Sequence, residues 1–379
     1  MKNVITFLKT RSLAVWIAVA VAIVLIVAGV IVLRSRASGF FGATEAEGTV
    51  SGPAQIVSDA TASGGKALQF NAPASSGGSG GTGTSWDPCS GAVANALTAK
   101  PAASNTGVTP NTSLSVVTGN QTFTPTDKCQ VISGKDFHGF VTVAAPKQNT
   151  DKSFPKGIIV FKDCIFRGQA TGSNSALLNT QDRVDVSKGE TAKVVVMNSE
   201  FAPSNPSATI DGLWLAYTDA YNINVHGSVD GIKASTASRI QNSYIHDMAW
   251  FASDPNQGGG ETHNDAVQIL DGSGLVVTGN TLAAGAKANS AVQITQDFGA
   301  VSNVAITNNW ADWGGCTFNF AQKPGSSLVV GPVTGNRFGR NQSYAGCAIL
   351  IGTKTSISQN TGNVWDDNGQ AIPAPQQHD

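Results

Sequence analysis

The segment 275–338 contains one short pattern three times, as "LVVTGNTL" at 275–282, "VAITNNW" at 304–310 and "GPVTGNRF" at 331–338. In each copy, alternating apolar residues lead to an asparagine and then to a large apolar residue. When the copies are aligned on the large apolar residue, Asn280, Asn308 and Asn336 fall in one column, 28 residues apart each time. Such self-similarity is typical of repeat proteins. The segment therefore predicts a strand that recurs once in every turn of a solenoid.

Related lines extend both the column and the repeat. The lines "VFKDCIF", "VVVMNSEF" and "RIQNSYI" continue the asparagine column backwards through Ser243, Ser199 and Cys164. A second line follows in each repeat, and its first residues form another column: Asp211, Asp230, Asp265, Ser290, Cys316 and Cys347. Parallel strands stack about 4.8 Å apart, so equivalent positions of successive coils touch. We expect an all-β solenoid with apolar residues inside and asparagines bonded along one corner.

This repeat pattern resembles the right-handed parallel β-helices of the pectin-lyase-like superfamily, over residues 105–379. The resemblance implies a right-handed parallel β-helix. Just before it, the stretch "DPCSGAVANALTAK" predicts a short helix that caps the open end of the solenoid. We therefore expect a β-helix domain with an N-terminal cap over residues 89–379.

The N-terminal region predicts a membrane anchor and a stalk. Residues 13–33 form a run of 21 residues without a charge, which is long enough to cross a membrane as a helix. Three basic residues precede this run and two follow it, which favours an N-terminus inside the cell. We expect a cytoplasmic tip and a single-pass transmembrane anchor over 1–36, with the β-helix domain extracellular at the cell membrane. Residues 37–88 predict a stalk, in which "EAEGTVSGPAQIVSDATASGGKALQF" resembles the opening strands of carbohydrate-binding modules and a Gly/Ser linker follows.

The charge balance restricts the class of partner. Beyond residue 36 the chain carries 19 basic and 25 acidic residues, which is a net charge of −6. A negative surface repels the phosphate backbone of nucleic acids. We therefore expect no nucleic-acid partner.

Five cysteines test the alignment of the coils. Cys316 and Cys347 are neighbours in the second column, which predicts a disulfide between adjacent coils. Cys89 and Cys129 flank the first, non-repetitive segment and predict a second disulfide. Cys164 is left over, and we expect it to be a buried, inert thiol. Two disulfides favour an oxidising exterior.

A long excursion in one coil marks the candidate site. Asp230 and Asp265 are 35 residues apart, and the chain between them contains "HDMAWFASDPNQGGGETH". Long loops on rigid scaffolds commonly carry function. We expect the two aspartates to lie one coil apart beneath this loop and to form a cleft for a sugar. The candidate catalytic residues are Asp230, Asp265, His263, His246 and Lys233. The candidate substrate-binding residues are Asn264, Gln268, Trp250, Arg239 and Trp313.

The same region has a more specific resemblance. "SVDGIKASTASRIQNSYIHDM" followed by "NDAVQILDGSGLVVTGN" is similar to the central stretch of the polygalacturonase family of glycoside hydrolases. The resemblance implies that Asp230 matches that family's first catalytic aspartate and that Asp265 matches its general acid. Asn264 stands where the family has a further aspartate, and Ser290 replaces another polar catalytic residue. Inverting hydrolysis of this kind needs one protonated and one ionised carboxyl group.

A different reaction, β-elimination, also fits these residues. His263 would then be the base, and Lys233 or Arg239 would neutralise the acid group of the sugar. Asp211, Asp230 and Asp265 would hold Ca²⁺, whereas hydrolysis requires no cofactor.

Two non-catalytic interpretations stay open beside these. An aspartate before a glycine commonly caps a turn, so the aspartate column has a structural interpretation as well. A surface protein that binds a glycan or another cell, or a structural stalk, would need no catalytic residue. On balance the sequence predicts a membrane-anchored extracellular carbohydrate-active protein that cleaves a polysaccharide or cell-surface glycan.

Overall fold

The computed structural model describes residues 54–58, 66–70, 86–94, 99–181 and 192–378 of the 379-residue chain. The chain divides into two compact units, 1–85 and 86–379. In the first unit, β1 (Ala54–Ser58) and β2 (Lys66–Phe70) pair in antiparallel fashion. The predicted membrane span and the Gly/Ser linker lie outside the described residues. Within the described ranges, no helix is long and apolar enough to cross a membrane.

Nearly all strands of the second unit belong to three large parallel sheets in the part that the structure describes. Sheet I consists of β4 (Gln121–Phe123), β7 (Val141–Val143), β10 (Ser175–Asn179), β13 (Ile210–Leu215), β16 (Ile232–Ala234), β19 (Asp265–Ile269), β22 (Ser290–Ile294), β25 (Phe318–Phe320), β29 (Ile349–Gly352) and β33 (Gln376–His378). Sheet II consists of β5 (Gln130–Ser133), β8 (Ile158–Lys162), β11 (Lys193–Met197), β14 (Thr218–Tyr221), β17 (Arg239–Gln241), β20 (Gly272–Thr278), β23 (Val301–Thr307), β27 (Val333–Thr334) and β31 (Asn360–Thr361). Sheet III consists of β3 (Ser115–Thr118), β6 (Lys135–His138), β9 (Ile165–Phe166), β12 (Glu200–Phe201), β15 (Asn224–His226), β18 (Tyr244–His246), β21 (Thr281–Ala283), β24 (Trp310–Asp312), β28 (Arg337–Phe338) and β32 (Val364–Trp365). A small parallel sheet pairs β26 (Leu328–Val330) with β30 (Thr355–Ile357), and one-turn 3₁₀ helices lie at Pro88–Ser90 and Pro255–Gln257.

The chain visits sheets I, II and III in turn, and each strand pairs with the equivalent strand one coil later. The register is regular along the stack. In sheet II, for example, Ile240 lies beside Val277, and Val277 lies beside Ile306. The predicted all-β solenoid is thus confirmed as a parallel β-helix, because the strands of three sheets are joined coil by coil.

Buried apolar side chains fill the space enclosed by the sheets. Equivalent rings on sheet III stack directly along the coils. The ring centroids of Phe166 and Phe201 are 4.4 Å apart and their planes differ by 5°. Phe137, one coil earlier, stacks on Phe166 at 5.1 Å. Such stacking couples each coil to its neighbours, since parallel strands in register place like side chains together.

An asparagine ladder runs along the corner between sheets II and III. Its members are Asn280, Asn309, Asn336 and Asn363. Each Nδ2 donates to the Oδ1 of the next member at 3.0 Å, and the backbone N–H of the same residue donates to that oxygen as well. Ser243 and Ser199 occupy the column in earlier coils, where their hydroxyl oxygens accept the backbone N–H groups of Ile223 and Cys164. The predicted corner ladder is present and satisfies buried turn amides.

The ladder corrects one position of the sequence alignment. Alignment on the large apolar residues places Asn308 in the ladder and Trp310 in the core column. In the structure, Asn309 is the ladder residue, and Trp310 pairs with Thr281. Ala311 takes the buried position instead, while Trp310 is half-buried. A shift of one residue along a strand turns every side chain to the other face, so the size of the tryptophan misled the alignment.

Both predicted disulfides are present. Cys316 and Cys347 form a disulfide between adjacent coils, with Cα atoms 4.8 Å apart. Cys89 and Cys129 form the other. Cys164 is a free, buried thiol, and burial raises its pKa to about 11. The two disulfides indicate an oxidising environment.

The segment 86–94 packs on the outer face of sheet II. Trp86 lies edge-on against Tyr221, with ring centroids 5.0 Å apart. Together with Cys89 and Ala94 it covers Val160 and Val195, which are buried on that outer face. The sequence predicts a helix over the open end of the solenoid, whereas the described part of this segment contains a one-turn 3₁₀ helix and covers the side of sheet II. It belongs to the same unit as the coils.

Candidate functional site

Three aspartates stack along the start of successive strands of sheet I. The pairings of Leu213 with Ile232 and of Ile232 with Val267 set the register of β13, β16 and β19. This register places Asp211, Asp230 and Asp265 in one column, and their relative exposures are 2%, 3% and 0%. The predicted neighbour relation of Asp230 and Asp265 is therefore present in the fold. Carboxyl groups buried this deeply need compensating donors or protons.

Two glycines explain why the column is built on Asp-Gly. A Cβ atom on Gly212 would lie 2.3 Å from the carbonyl oxygen of Gly231. A Cβ atom on Gly231 would lie 2.6 Å from the carbonyl oxygen of Ala266. Only glycine allows the backbones of these coils to approach so closely, and this approach brings the carboxyl groups together.

The aspartates first serve as caps for the coil that follows. The backbone N–H of Asp230 donates to Asp211 Oδ1 at 3.2 Å, and that of Asp265 donates to Asp230 Oδ1 at 2.8 Å. These bonds are the turn-capping role that the Asp-Gly pattern predicts. They leave the second carboxyl oxygen of Asp211 and of Asp230 for other partners.

Lys233 contacts the second carboxyl oxygen of both Asp211 and Asp230. Its Nζ donates to Asp211 Oδ2 at 2.7 Å and forms an ion pair with Asp230 Oδ2 at 3.1 Å. The indole Nε1 of Trp214 also donates to Asp211 Oδ2, at 2.7 Å. Burial opposes the charge of the Lys233 ammonium, but Asp230 and Asp211 outweigh this effect and raise its pKa. A cation of the chain itself thus bridges two of the three carboxylates proposed above as ligands of Ca²⁺.

Burial changes the protonation of the other two carboxyl groups. It raises the pKa of Asp230 to about 7, an effect that Asp211 strengthens and Lys233 opposes. It also raises the pKa of Asp265 well above its usual range, and the charge of Asp230 adds to this. A carboxyl group that stays protonated near neutral pH can act as a proton donor. Asp230 has this property.

Asp265 is enclosed by its own partners. Its Oδ1 accepts from Ser290 Oγ at 2.6 Å and from Asn289 Nδ2 at 3.1 Å, and its Oδ2 accepts from Gln268 Nε2 at 3.3 Å. Among the described residues that line the cavities of this face, Asp265 is absent. Asp265 would therefore affect a bound ligand only indirectly, through its contacts with Asp230 and Gln268.

Three adjoining cavities lie over this part of sheet I. The central cavity, of about 350 Å³, has Asp211, Asp230, Lys233, His263 and Gln268 among its lining residues. The sheet-end cavity, of about 260 Å³, shares four lining residues with it: Lys233, Gln268, Leu270 and Phe298. The loop cavity, of about 440 Å³, meets the central cavity at His263. Because neighbouring cavities share lining residues, the three together are called the groove below.

The excursion 247–264 forms one wall of this groove. Thr262 fastens the loop, because its backbone N–H donates to the carbonyl oxygen of Phe251 at 3.0 Å and its hydroxyl accepts the N–H of Phe251 at 2.9 Å. Asp254 caps the 3₁₀ turn by accepting the N–H of Asn256 at 2.8 Å. These bonds hold the exposed His263 at the junction of two cavities.

Trp250 lines the loop cavity. Lys287 Nζ lies 3.4 Å from the centroid of the Trp250 ring, and the Trp250 Nε1 donates to Glu261 Oε2 at 3.1 Å. The cation and the hydrogen bond fix the ring at the edge of the groove. Trp250 therefore lies in the wall of the loop cavity, and its role in binding a substrate stays a prediction.

Besides Asp265, four of the candidate residues do not line any of the three cavities in the described structure. His246 lies on sheet III, stacked on Tyr244, with Nδ1 at 2.7 Å from Asp247 Oδ2; burial lowers its pKa. Arg239 begins β17 of sheet II, and Trp313 follows β24 of sheet III. Asn264 is fully buried, and neither polar atom of its side chain has a hydrogen-bond partner among the described residues.

Several groove residues escape the sequence analysis. Phe298, 78% exposed, stands at the shared wall of the central and sheet-end cavities, and Tyr344, 69% exposed, stands in the loop cavity. Both are large aromatic residues outside any apolar alternation and close to a glycine, in "QDFGA" and "SYAG". An aromatic residue in such a turn indicates an exposed apolar surface against which a ligand can pack. Asp254, Asp271 and Asp297 also line the groove.

No cluster of three or more histidine, cysteine, aspartate or glutamate side chains is arranged to hold a metal ion in the described ranges. The chain as a whole was compared with protein-family models, with curated proteins and with solved structures, and none of them matches it.

Proposed function

We propose that this protein is a carbohydrate-active enzyme that hydrolyses a polysaccharide in the groove over sheet I, with Asp230 as proton donor. The single observation that carries the proposal is the position of Asp230: a buried carboxyl group with a pKa near 7 lines the central cavity. Hydrolysis of a glycosidic bond needs a protonated carboxyl group beside the leaving oxygen. Exposed aromatic rings along the same groove support a sugar as ligand, because sugar rings pack on aromatic faces.

Hydrolysis is better supported than elimination. Elimination next to a carboxylate needs a cation that can neutralise the acid group of the sugar. Lys233 is the sole lysine or arginine among the described residues lining the central and sheet-end cavities, and Asp211 and Asp230 already pair with it. We assign Asp265 as a positioning residue, because its backbone N–H holds Asp230 Oδ1 at 2.8 Å. His263 or Asp211 is assigned as the group that activates water.

The proposal extends to the family and to the location of the protein. The parallel coils and the Asp230–Asp265 neighbours support a right-handed β-helix similar to the pectin-lyase-like superfamily. The apolar run at 13–33 supports a single-pass anchor, and two disulfides support an extracellular β-helix domain. Its partner would then be an extracellular or cell-surface glycan, with no nucleic acid bound.

The experiment follows polysaccharide cleavage by the whole chain. A panel of polysaccharides is incubated with the protein while new reducing ends and ultraviolet absorbance are measured. New reducing ends without absorbance indicate hydrolysis, and both together indicate elimination. We expect Asp230→Asn to lower turnover by at least about 100-fold while ligand affinity is retained. Asp127→Asn, an exposed aspartate between β4 and β5, is the matched control and keeps full turnover.

A non-catalytic glycan-binding protein is the second candidate. One observation favours it. The carboxyl oxygens of Asp265 and Asp211 accept hydrogen bonds from other residues of the protein, whereas the rings of Phe298 and Tyr344 are exposed. A binding protein would hold a glycan of the panel without releasing reducing ends. Binding without cleavage by the unaltered chain would therefore replace the hydrolase proposal with this one.

A further inference from the structure

The charge of the groove restricts which sugars it can hold. Five aspartates line the central and sheet-end cavities: Asp211, Asp230, Asp254, Asp271 and Asp297. Lys233 is the sole lysine or arginine in the same described lining, and His263 is the sole histidine. The cation of Lys233 lies between Asp211 and Asp230, so it does not offset the other three aspartates. The two cavities together therefore present net negative charge to a ligand.

This charge disfavours an acidic sugar. A uronate carboxylate in the central cavity would face the carboxyl groups of Asp254 and Asp297, which line the same cavity. Like charges at short range repel, and the repulsion grows as the local dielectric constant falls. An ammonium group at the same position would be attracted by the same carboxylates.

An apolar platform stands beside these carboxylates. Phe298 is 78% exposed and directly follows Asp297 in the chain. Both residues line the central cavity, and Phe298 lines the sheet-end cavity as well. The ring offers one face to the apolar side of a sugar, and it attracts a cation through its π electrons. A sugar that carries an amine satisfies both the ring and the carboxylates.

We infer that the groove takes a glycan with free amino groups, a polymer of unsubstituted amino sugars, and discriminates against uronate polymers. The inference rests on the proposed glycan-binding function of the groove. It adds the charge class of the substrate and assigns Asp297, Asp271 and Phe298 as the residues that determine specificity. Asp254 contributes charge too, but it also caps the 3₁₀ turn of the wall.

The test measures the binding of three oligosaccharides of equal length to the whole chain by calorimetry. They are a hexosamine oligomer with free amines, its fully N-acetylated form and a uronate oligomer. At low salt we expect the free amine to bind at least about tenfold more tightly than the acetylated form, and the uronate to bind most weakly. Added salt should reduce the difference, because it screens charges at the mouth of the groove.

Two variants connect the preference to the groove. Asp271→Asn combined with Asp297→Asn should remove most of the preference for the amine, since asparagine keeps the shape and loses the charge. Asp127→Asn removes one negative charge, as each of the two substitutions does, but Asp127 lies between β4 and β5. This control should leave the preference intact. Circular dichroism checks that each variant is folded.

Several outcomes contradict the inference. Equal or tighter binding of the uronate oligomer overturns it, and so does failure of the amine oligomer to bind. Equally tight binding of oligolysine, a cationic peptide without a sugar ring, would show that charge alone directs binding and would also overturn it. If the amine oligomer binds but is not cleaved, the inference stands and the hydrolase proposal fails. If a neutral or uronate polymer is cleaved instead, the hydrolase proposal stands and the inference fails.

Discussion

Asp230 combines two roles that usually fall to different residues. Its Oδ1 caps the next coil by accepting the backbone N–H of Asp265, while its Oδ2 pairs with Lys233 at the floor of the groove. The first role holds the carboxyl group in place. The second keeps the carboxyl group in the lining of the central cavity, where burial raises its pKa although Lys233 opposes this effect. Under the proposed function, this fixed position would preorganise Asp230 for proton transfer.

The raised pKa of Asp230 predicts a pH dependence of stability. Its folded pKa of about 7 exceeds the ordinary value of 3.8, so the folded state holds the proton more tightly than the unfolded state. The stabilisation that follows is complete below pH 3.8 and is lost as the pH rises through 7. Asp230→Asn carries no titrating group at this position. We expect the free energy of unfolding of the variant, relative to the wild type, to rise between these two pH values by at least about 1.4 kcal/mol.

Denaturant unfolding of both proteins across this pH range measures the difference. Asp127→Asn serves again as the control, because its side chain is exposed and should show no comparable change. A constant difference between Asp230→Asn and the wild type at all pH values would contradict the raised pKa of Asp230.

The sequence predicts which site residues lie side by side only where the repeat of the coils determines which residues are neighbours. Asp230 and Asp265 fall in one column because both begin the same line of the repeat, and Lys233 and Gln268 follow them by the same spacing. His246 shares the excursion in sequence, yet it ends a strand of sheet III. Repetition tells which residues are stacked, whereas the number of residues at each corner decides which face they occupy. Phe298 lies in a turn, where no periodic pattern applies.

At the level of the structural element, the asparagine ladder stabilises the corner between sheets II and III, where few residues belong to strands. Asn309 Nδ2 donates to Asn336 Oδ1 and to the carbonyl oxygen of Val277, both at 3.0 Å. Its Oδ1 accepts the backbone N–H and the Nδ2 of Asn280, also at 3.0 Å. One amide side chain therefore links three coils and satisfies two buried backbone groups of the preceding coil, and this explains why the pattern repeats it.

We expect Asn309→Ala to lower the free energy of unfolding by about 3 kcal/mol, because it leaves buried donors and acceptors without partners. Asn308→Gly is the matched control. Asn308 is exposed and has a φ of 56°, which glycine adopts readily, so its loss should cost less than about 1 kcal/mol. Denaturant unfolding of both variants gives the comparison. Equal losses would contradict the assignment of Asn309 to the ladder.

On the scale of the whole molecule, stability is distributed coil by coil, since each coil contacts mainly its two neighbours. The disulfide between Cys316 and Cys347 lies in the same column as Asp265 and Ser290. It joins two coils on the C-terminal side of the groove. The Cys89–Cys129 disulfide instead ties the segment 86–94 to the start of β5. The two disulfides therefore protect opposite parts of the stack.

Replacing both Cys316 and Cys347 with serine should destabilise the C-terminal coils by about 3 kcal/mol. Hydrogen exchange should accelerate in β25 and β29 and remain unchanged in β10 and β13, because unfolding in a solenoid can stay local. The same replacement of Cys89 and Cys129 should accelerate exchange in β5 and β8 instead. Uniform acceleration along the chain in either variant would show that the stack unfolds as one cooperative unit.

The excursion 247–264 enters the chain between β18 and β19 without disturbing the pairing of Ile232 with Val267 beneath it. The floor of the groove is thus inherited from the repeat, whereas the rim is an insertion. A change in the length of that rim would leave the strand pairing beneath it intact. The insertion can therefore be shortened or exchanged as a unit without removing a coil from the stack.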